Sequence, residues 1–236
     1  MSRRLASLAM RWWKDAAATP VAVNPPRQSF ALNDLDLKLA KIIGEKTGGF
    51  FIEAGGNDGV SQSNTLYFER YLGWRGLLVE PVPLLAEQCR VNRPHALVEN
   101  AALVSSDFIG TTVEMRYCHL MSVVKGGMHT REEEDAHIAA GTKVQQIETY
   151  EFSAPARTLQ SILDRHGITA ADLFVLDVEG FEAPALRGID FDRFVAHNLL
   201  IEARYRDDVE AVLNGRYELV DQLSHHDLLY RPRQSA

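Results

Sequence analysis

Short apolar runs alternate along this chain with stretches of helical periodicity, and several of the runs end on an acidic residue. A β-prone run covers residues 50–54 (FFIEA) and passes directly into a glycine turn at 55–59 (GGNDG). About 25 residues later a second run, 76–80 (GLLVE), also ends on an acid. Strands that alternate with helices in this way predict a parallel sheet covered by helices on both faces.

The same rhythm extends over most of the chain. Helices are predicted at 34–45, 61–72, 83–92, 158–166, 182–187 and 207–214, and strands at 50–54, 76–80, 96–99, 173–177, 198–202, 217–220 and 227–230. Two more strands, 111–117 and 143–152, are expected to form a hairpin or meander. The polar residues between them, 118–142, are predicted to be a long loop that folds over a site as a lid. The fold class is therefore α/β, with a Rossmann-like, seven-stranded, mostly parallel sheet and an antiparallel final strand.

Residues 1–30 form a separate N-terminal arm in this interpretation, and residues 31–236 form the domain. Residues 1–14 place leucine and tryptophan side chains on one helical face and basic side chains around it, and the prolines at 20, 25 and 26 favour an extended linker. Two interpretations stay open for this helix. It rests on an anionic membrane or a partner protein, or it covers its own domain or a subunit neighbour in a homo-oligomer.

Composition narrows the class of protein. The chain has 236 residues, 46% of them hydrophobic and 24% charged, which suits one globular α/β domain. A formal net charge of −7 argues against nucleic acid as a partner. Cys89 and Cys118 form no metal-binding pattern, and reduced, packed thiols fit a cytoplasmic location. No run approaches the length of a membrane span.

The two acids at the strand ends point to a bound nucleoside. Glycines in the turn after the first strand let the backbone approach a ligand, and Glu80 can accept hydrogen bonds from both ribose hydroxyls. The alternative for Glu80 is a surface acid at a strand end. A dinucleotide is disfavoured because the turn lacks the full Gly-x-Gly-x-x-Gly spacing.

These motifs, in this order, resemble the FkbM family of class I S-adenosylmethionine-dependent methyltransferases. The matching segments are 51–59 (FIEAGGNDG), 63–65 (SNT), 73–81 (GWRGLLVEP), 157–159 (RTL), 172–182 (DLFVLDVEGFE), 186–188 (LRG) and 200–202 (LIE). Gly56 stands where alanine is more usual in the family. The resemblance spans about residues 46–205, and the N-terminal arm and the segment 118–142 lie outside it.

The resemblance implies S-adenosylmethionine as cofactor and S-adenosylhomocysteine as product. It places the turn after the first strand under the methionine part of the cofactor, Glu53 near its ammonium group, Glu80 at the ribose and Asn100 at the adenine. For Asn100 a plain turn residue remains the alternative. The full set of expected cofactor-binding residues is Glu53, Gly55, Gly56, Asn57, Asp58, Gly59, Asn64, Glu80, Pro81, Asn100, Ala101 and Asp177.

Asp177 and Glu179 are the foremost catalytic candidates, because residues two apart in an extended chain point to the same side. One acid can orient or deprotonate a hydroxyl, or both can cap the following helix. Glu202 completes an acidic rim. Three carboxylates can also hold a divalent metal, which is not favoured because no histidine falls within these motifs. His119 is the expected catalytic histidine. The other candidate bases are His129, His137, His225 and His226.

The function expected from the resemblance is O-methylation of a hydroxyl on a sugar, a glycan or a glycosylated metabolite. The acceptor is then a small molecule or a glycan. Two alternatives remain: a methyltransferase of a non-sugar natural product, acting on oxygen or nitrogen, and a binding module that keeps the fold without catalysis.

Overall fold

The computed structural model describes residues 27–233 of the chain. The predicted amphipathic helix of residues 1–14 and most of its linker lie outside the described residues. Within residues 27–233, no helix is long and apolar enough to cross a lipid bilayer.

A seven-stranded sheet forms the centre of the domain, in the order β3-β2-β1-β9-β11-β13-β12. The last strand in sequence, β13, runs antiparallel to both of its neighbours, and the other adjacent pairs are parallel. This arrangement confirms the predicted fold class. The strands of this sheet are β1 (Phe50–Ala54), β2 (Arg75–Val79), β3 (Leu97–Glu99), β9 (Leu173–Leu176), β11 (Leu199–Glu202), β12 (Tyr217–Gln222) and β13 (Asp227–Pro232).

Alternate residues of the central strands enter two different cores. Ile52, Leu77 and Phe174 belong to one buried cluster, whereas Phe51 and Leu78 belong to the other. Both faces of these strands are therefore covered, which explains why their sequences are continuously apolar rather than alternating. The seven α-helices of the described residues are α1 (Leu35–Ile43), α2 (Leu66–Leu72), α3 (Pro83–Asn92), α4 (Arg131–Gln145), α5 (Leu159–His166), α6 (Glu182–Leu186) and α7 (Arg206–Leu213).

A smaller sheet in the order β4-β7-β5-β6 adjoins the main one, and a two-stranded sheet pairs β10 with β8. The long strand β7 pairs antiparallel with β5, which confirms the predicted pairing of two strands in this region. The strands outside the main sheet are β4 (Ala102–Leu103), β5 (Thr112–Tyr117), β6 (Val123–Val124), β7 (Tyr150–Arg157), β8 (Ala170–Ala171) and β10 (Val195–Ala196).

The prediction of a loop over residues 118–142 is wrong, and so is the start of the strand predicted at 143–152. Helix α4 occupies residues 131–145, so the strand after it begins only at Tyr150. Thr130 and Glu133 form a reciprocal capping box that starts this helix. Cys118, Val123, Met128 and Ile138 give the segment a small core of its own. We call residues 118–145 the cap.

Candidate active site

A cavity of about 390 Å³ lies at the carboxyl ends of β1, β2, β9 and β11. Parallel strands all end at this edge of the sheet, and ligands of open α/β sheets bind there. The cap closes one side of the cavity through residues that include His119, Met121, His137 and Gln145. The cap therefore lies over the cavity as expected, although it is a helix and not a loop.

The glycine turn after β1 can be built only with glycine at its first position. Gly55 has φ of +90°, and a Cβ atom there would lie 1.9 Å from the carbonyl oxygen of Asp177. The turn and the end of β9 therefore touch through backbone alone. Asn57 also has a left-handed backbone, with φ of +46°, which asparagine tolerates better than most residues.

Glu53 is bound by donors of its own chain. One carboxylate oxygen accepts from the Asn64 backbone N–H at 2.7 Å, and the other accepts from the Thr65 hydroxyl at 2.6 Å. The hydroxyl of Ser63 and the guanidinium of Arg93 lie beside the same carboxylate, at 2.9 and 3.7 Å. Glu53 lines the cavity, and these contacts fix the position of its carboxylate; its contact with the cofactor ammonium group stays a prediction.

Arg93 is fully buried and joins the glycine turn to the start of α2. It donates to the Gly59 carbonyl at 3.0 Å, to the Thr65 hydroxyl at 3.1 Å and to the Glu69 carboxylate at 2.7 Å. A buried guanidinium is stable only when its donors are satisfied in this way. The sequence pattern does not reveal this role of Arg93, because the proline after it indicates only the end of a helix.

Glu80 accepts one backbone hydrogen bond on each carboxylate oxygen, from Asn57 at 2.8 Å and from Val82 at 2.8 Å. Its side chain is buried, and burial raises its pKa to about 7 even though both hydrogen bonds lower it. Glu80 therefore ties the glycine turn to the end of β2. Each oxygen keeps a second lone pair with which it can accept from a ligand.

Two asparagines supply the polar atoms that lack partners at the cavity. Both amide atoms of Asn57 and Oδ1 of Asn64 are buried without a hydrogen bond among the described residues. Both residues line the cavity. Buried polar groups are seldom left unsatisfied, so these atoms fit a polar ligand with donors and acceptors, such as the amino-acid part of S-adenosylmethionine.

The other predicted cofactor residues divide into two groups. Gly56, Pro81 and Ala101 line the cavity, whereas Asp58, Gly59 and Asn100 do not. Asp58 instead accepts from the Ser61 backbone and hydroxyl, and the Asn100 side-chain amide donates to the carbonyls of Glu80 and Pro81. These contacts give Asp58 and Asn100 a part in the shape of their loops, and the adenine contact of Asn100 and its turn alternative both stay open.

The three predicted acids, Asp177, Glu179 and Glu202, all line the cavity. Burial, and then the charges of Glu202 and Glu179, raise the pKa of Asp177 well above its usual range, so this carboxyl is protonated and donates to Glu202. Burial also raises the pKa of Glu202, although the hydrogen bond from Asp177 lowers it.

Glu179 has a strained backbone with φ of +55°, and its side chain meets the cap. Burial and the charge of Glu202 raise its pKa to about 8, while Arg204 acts in the opposite direction. His137 from α4 lies 3.5 Å from Oε2 of Glu179, measured from Nε2. A group whose pKa lies near neutrality at a cavity is suited to proton transfer.

His119, the predicted catalytic histidine, lines the cavity. His137 is the histidine that reaches the acidic rim. His129 bonds Asp208, and His225 contacts His226 at the surface. Within residues 27–233, no group of three or more His, Cys, Asp or Glu side chains is arranged to hold a metal ion.

This strand order, the glycine turn and the cavity at the strand ends define a class I methyltransferase fold. The chain belongs to the FkbM methyltransferase family: the family model described as "Methyltransferase FkbM domain" matches residues 53–229. It is an S-adenosylmethionine-dependent methyltransferase. No curated protein matches the chain.

Three solved structures illustrate the likeness of fold. A TehB-like S-adenosylmethionine-dependent methyltransferase from Corynebacterium glutamicum is 14% identical over 97% of both chains, with a TM-score of 0.46. The methyltransferase FkbM from Methylobacillus flagellatus is 15% identical over 78% of this chain and 43% of its own, also with a TM-score of 0.46. A methyltransferase from Geobacter sulfurreducens is 13% identical over 85% of this chain and 76% of its own, with a TM-score of 0.44. Because these identities are so low, the family match is the observation that identifies the chain.

Proposed function

We propose that this protein transfers a methyl group from S-adenosylmethionine to a hydroxyl oxygen of a sugar, a glycan or a glycosylated metabolite. The observation that carries the proposal is the acidic rim of Asp177, Glu179 and Glu202, which lines the same cavity as the glycine turn. An alcohol is a weak nucleophile, and its proton must leave as the new bond forms. A carboxylate of this rim can accept that proton, so the protein supplies the base that an alcohol needs.

The residues around the glycine turn fit the cofactor. Asn57 and Asn64 have buried amide atoms available for its amino-acid part, and Glu80 can accept from its ribose. When bound, S-adenosylmethionine supplies an electrophilic methyl group on a positively charged sulfur. The protein then has to orient the acceptor and exclude water.

Glu179 is the proposed base for the acceptor hydroxyl, because it is the rim acid in contact with the cap. The raised pKa of Asp177 favours a protonated carboxyl that can share its proton with Glu202 in a hydrogen bond. That pair is therefore suited to hydrogen bonding rather than to removing a proton from the acceptor. Sugars present several hydroxyls to such a pair, and each hydroxyl can both donate and accept. The rim therefore favours a polyhydroxylated acceptor.

The proposal includes a cytoplasmic location. Cys89 and Cys118 are both buried free thiols in the structure, as expected for a reducing compartment. This location also allows residues 1–14 to rest on a membrane surface from which the protein takes its acceptor.

Calorimetric titration with S-adenosylmethionine, with and without EDTA, tests the cofactor part. We expect saturable binding that EDTA leaves unchanged, and a loss of binding in EDTA would instead assign a metal to the acidic rim. The transfer part is tested with 13C-methyl S-adenosylmethionine and a panel of sugars, glycosides and hydroxylated natural products without sugars. The 13C shift of the product distinguishes an O-methyl from an N-methyl group.

The expected product is an alkali-stable O-methyl ether on a sugar hydroxyl. Glu179→Gln is the matched variant, since it should bind the cofactor and fail to transfer. Transfer only to nitrogen, or only to acceptors without a sugar, would overturn the proposed acceptor class.

A further inference from the structure

Arg204 fixes the protonation pattern of His137. Nη2 of Arg204 lies 2.7 Å from Nδ1 of His137. A guanidinium can only donate hydrogen bonds, so Nδ1 must accept. The neutral imidazole ring therefore carries its proton on Nε2.

The Nε2–H group of His137 donates a hydrogen bond to a backbone carbonyl, and the Glu179 carboxylate lies beside it. The carbonyl oxygen of Met121 lies 3.1 Å from Nε2, and Oε2 of Glu179 lies 3.5 Å from it. Arg204 also approaches the same carboxylate oxygen, at 3.8 Å from Nη2. One oxygen of Glu179 thus faces a ring N–H and a guanidinium.

His137 itself is unsuited to act as a base, since the lone pair of Nδ1 is already used by Arg204. Burial, and next the charge of Arg204, lower the pKa of His137, which keeps the ring neutral near pH 7. The side chain is buried in the wall of the cavity. Its remaining role is to present a fixed N–H.

Glu179 needs such support. Its left-handed φ of +55° is unfavourable for a residue with a side chain, and such strain persists only where neighbouring contacts hold it. Gly180 follows with φ of +94°, so two successive residues of this turn have left-handed backbone. The contact from α4 provides a direct restraint.

We propose that Arg204 and His137 are positioning residues for Glu179: Arg204 selects the Nε2–H form of His137, the Met121 carbonyl holds that form in place, and the two side chains, 3.8 and 3.5 Å from Oε2, keep the Glu179 carboxylate directed toward the acceptor. The inference rests on the proposed function for the role of Glu179 in removing a proton. The cap, which lies outside the glycine and acid motifs, thereby supplies a residue to the reaction.

The charges around Glu179 set the sign of the expected pH effect. Asp177 and Glu182 face it from its own segment, Glu202 and Arg204 from β11 and the residues after it, and His137 from α4. The acids raise the pKa of Glu179, and Arg204 lowers it. Removal of the Arg204 charge should therefore raise this pKa further.

The tautomer of His137 is measurable without any acceptor. In a 15N-histidine sample, long-range 15N–1H correlation distinguishes a protonated Nε2 from a protonated Nδ1. We expect the Nε2–H form in the wild type and a mixture of both forms in Arg204→Met. A wild-type Nδ1–H form would overturn the inference, whether or not a sugar is the acceptor.

The role in turnover is tested by the dependence of kcat on pH. Arg204→Met should move the ascending limb up by about one pH unit, so that the rate below the pKa falls about tenfold. His137→Leu should lower kcat with little effect on KM, and His137→Gln should restore much of it, because a glutamine amide can both accept and donate. An unmoved limb in Arg204→Met, or wild-type kcat in His137→Leu, would overturn the inference.

Two matched controls separate positioning from folding. Arg206→Met removes an arginine two residues away whose partner is the exposed Glu210. His129→Leu removes a histidine that joins the cap to Asp208 without touching Glu179. Both controls should keep the wild-type pH profile. If no hydroxyl is ever methylated, the proposed function fails while the tautomer measurement still decides the Arg204–His137 contact.

Discussion

Asp177 and Glu202 lie side by side at the carboxyl ends of two neighbouring parallel strands, β9 and β11. The register pairs Leu176 with Ile201, so the two acids follow side by side at the ends of β9 and β11. Two adjacent carboxyls in a desolvated site cannot both ionise at low cost. The pair is stable because Asp177 keeps its proton and the two groups share it.

Asp177→Asn should therefore be tolerated and Asp177→Leu should not. An asparagine amide still donates to Glu202, whereas leucine leaves a buried carboxylate without its donor, at a cost of about 1–3 kcal/mol in the free energy of unfolding. Urea unfolding of both variants at pH 7 measures the difference. Equal destabilisation by asparagine and leucine would show that the shared proton does not stabilise the fold.

Glu80→Gln should weaken the binding of S-adenosylhomocysteine by about tenfold or more, which is about 1.4 kcal/mol. The wild-type carboxylate accepts the backbone N–H groups of Asn57 and Val82 on separate oxygens. A glutamine has only one acceptor oxygen, so its NH2 group would oppose one of these donors. Calorimetric titration provides the measurement, and the control is Glu87→Gln on the exposed side of α3. An unchanged dissociation constant would remove Glu80 from the nucleoside site.

Asn57→Gly should weaken the binding of S-adenosylhomocysteine by about tenfold while the free energy of unfolding stays within about 1 kcal/mol. The Asn57 amide has no partner among the described residues, so its loss breaks no hydrogen bond in the fold. Glycine also suits the left-handed backbone at this position. The control is Gln146→Gly, which has φ of +54° at the exposed end of α4. Destabilisation without an effect on the ligand would assign Asn57 to the fold alone.

Gly55→Ala should destabilise the protein by about 3 kcal/mol or more, because the new Cβ atom meets backbone that has little room to move. The carbonyl oxygen of Asp177 would lie 1.9 Å from that atom. Gly215→Ala is a matched control: φ is +77° there, but the Cβ atom enters open space, so the cost should be about 1 kcal/mol. Urea unfolding compares the two. Equal losses would mean that backbone conformation, and not the close contact, explains the glycine at 55.

The central strands of the main sheet were predicted well because they are buried on both faces. Runs such as 173–176 (LFVL) contain no polar residue that would allow another interpretation. The full helix at 131–145 was not predicted, because its apolar positions are few and its first residues, 131–135 (REEED), favour only a solvated helix start. Its capping box, Thr130 with Glu133, was the available signal. Short strands such as β4 and β10 depend on tertiary pairing, which no local pattern specifies.

The site was predictable as far as strand ends determine it. Asp177, Glu179 and Glu202 were found because parallel strands end at one edge of a sheet. The partners of Glu53 were not predictable, since Arg93 reaches it from the end of a helix that is 40 residues further along the chain. The contact of His137 with Glu179 follows from the fold of the cap, which the sequence pattern did not reveal.

Burial raises the pKa of the Glu182 carboxyl from 4.5 to about 7. The folded protein then binds this proton more tightly than the unfolded chain does. The resulting stabilisation is full below pH 4.5 and is lost as the pH rises to 7, by about 3 kcal/mol for a shift of this size. Glu182→Gln removes the titration and keeps an acceptor for the Gly180 N–H.

Compared with the wild type, Glu182→Gln should have a similar free energy of unfolding near pH 5 and a higher one at pH 8. Urea unfolding at the two pH values measures the change, and taking the difference between the two proteins cancels Glu80, whose pKa is also raised to about 7. The exposed Glu218→Gln should show no such pH dependence. Suppose instead that Glu182→Gln raised the free energy of unfolding by the same amount at pH 5 and at pH 8. Glu182 would then be ionised at both pH values, and the acidic cluster around Asp177 would carry more negative charge than its burial allows.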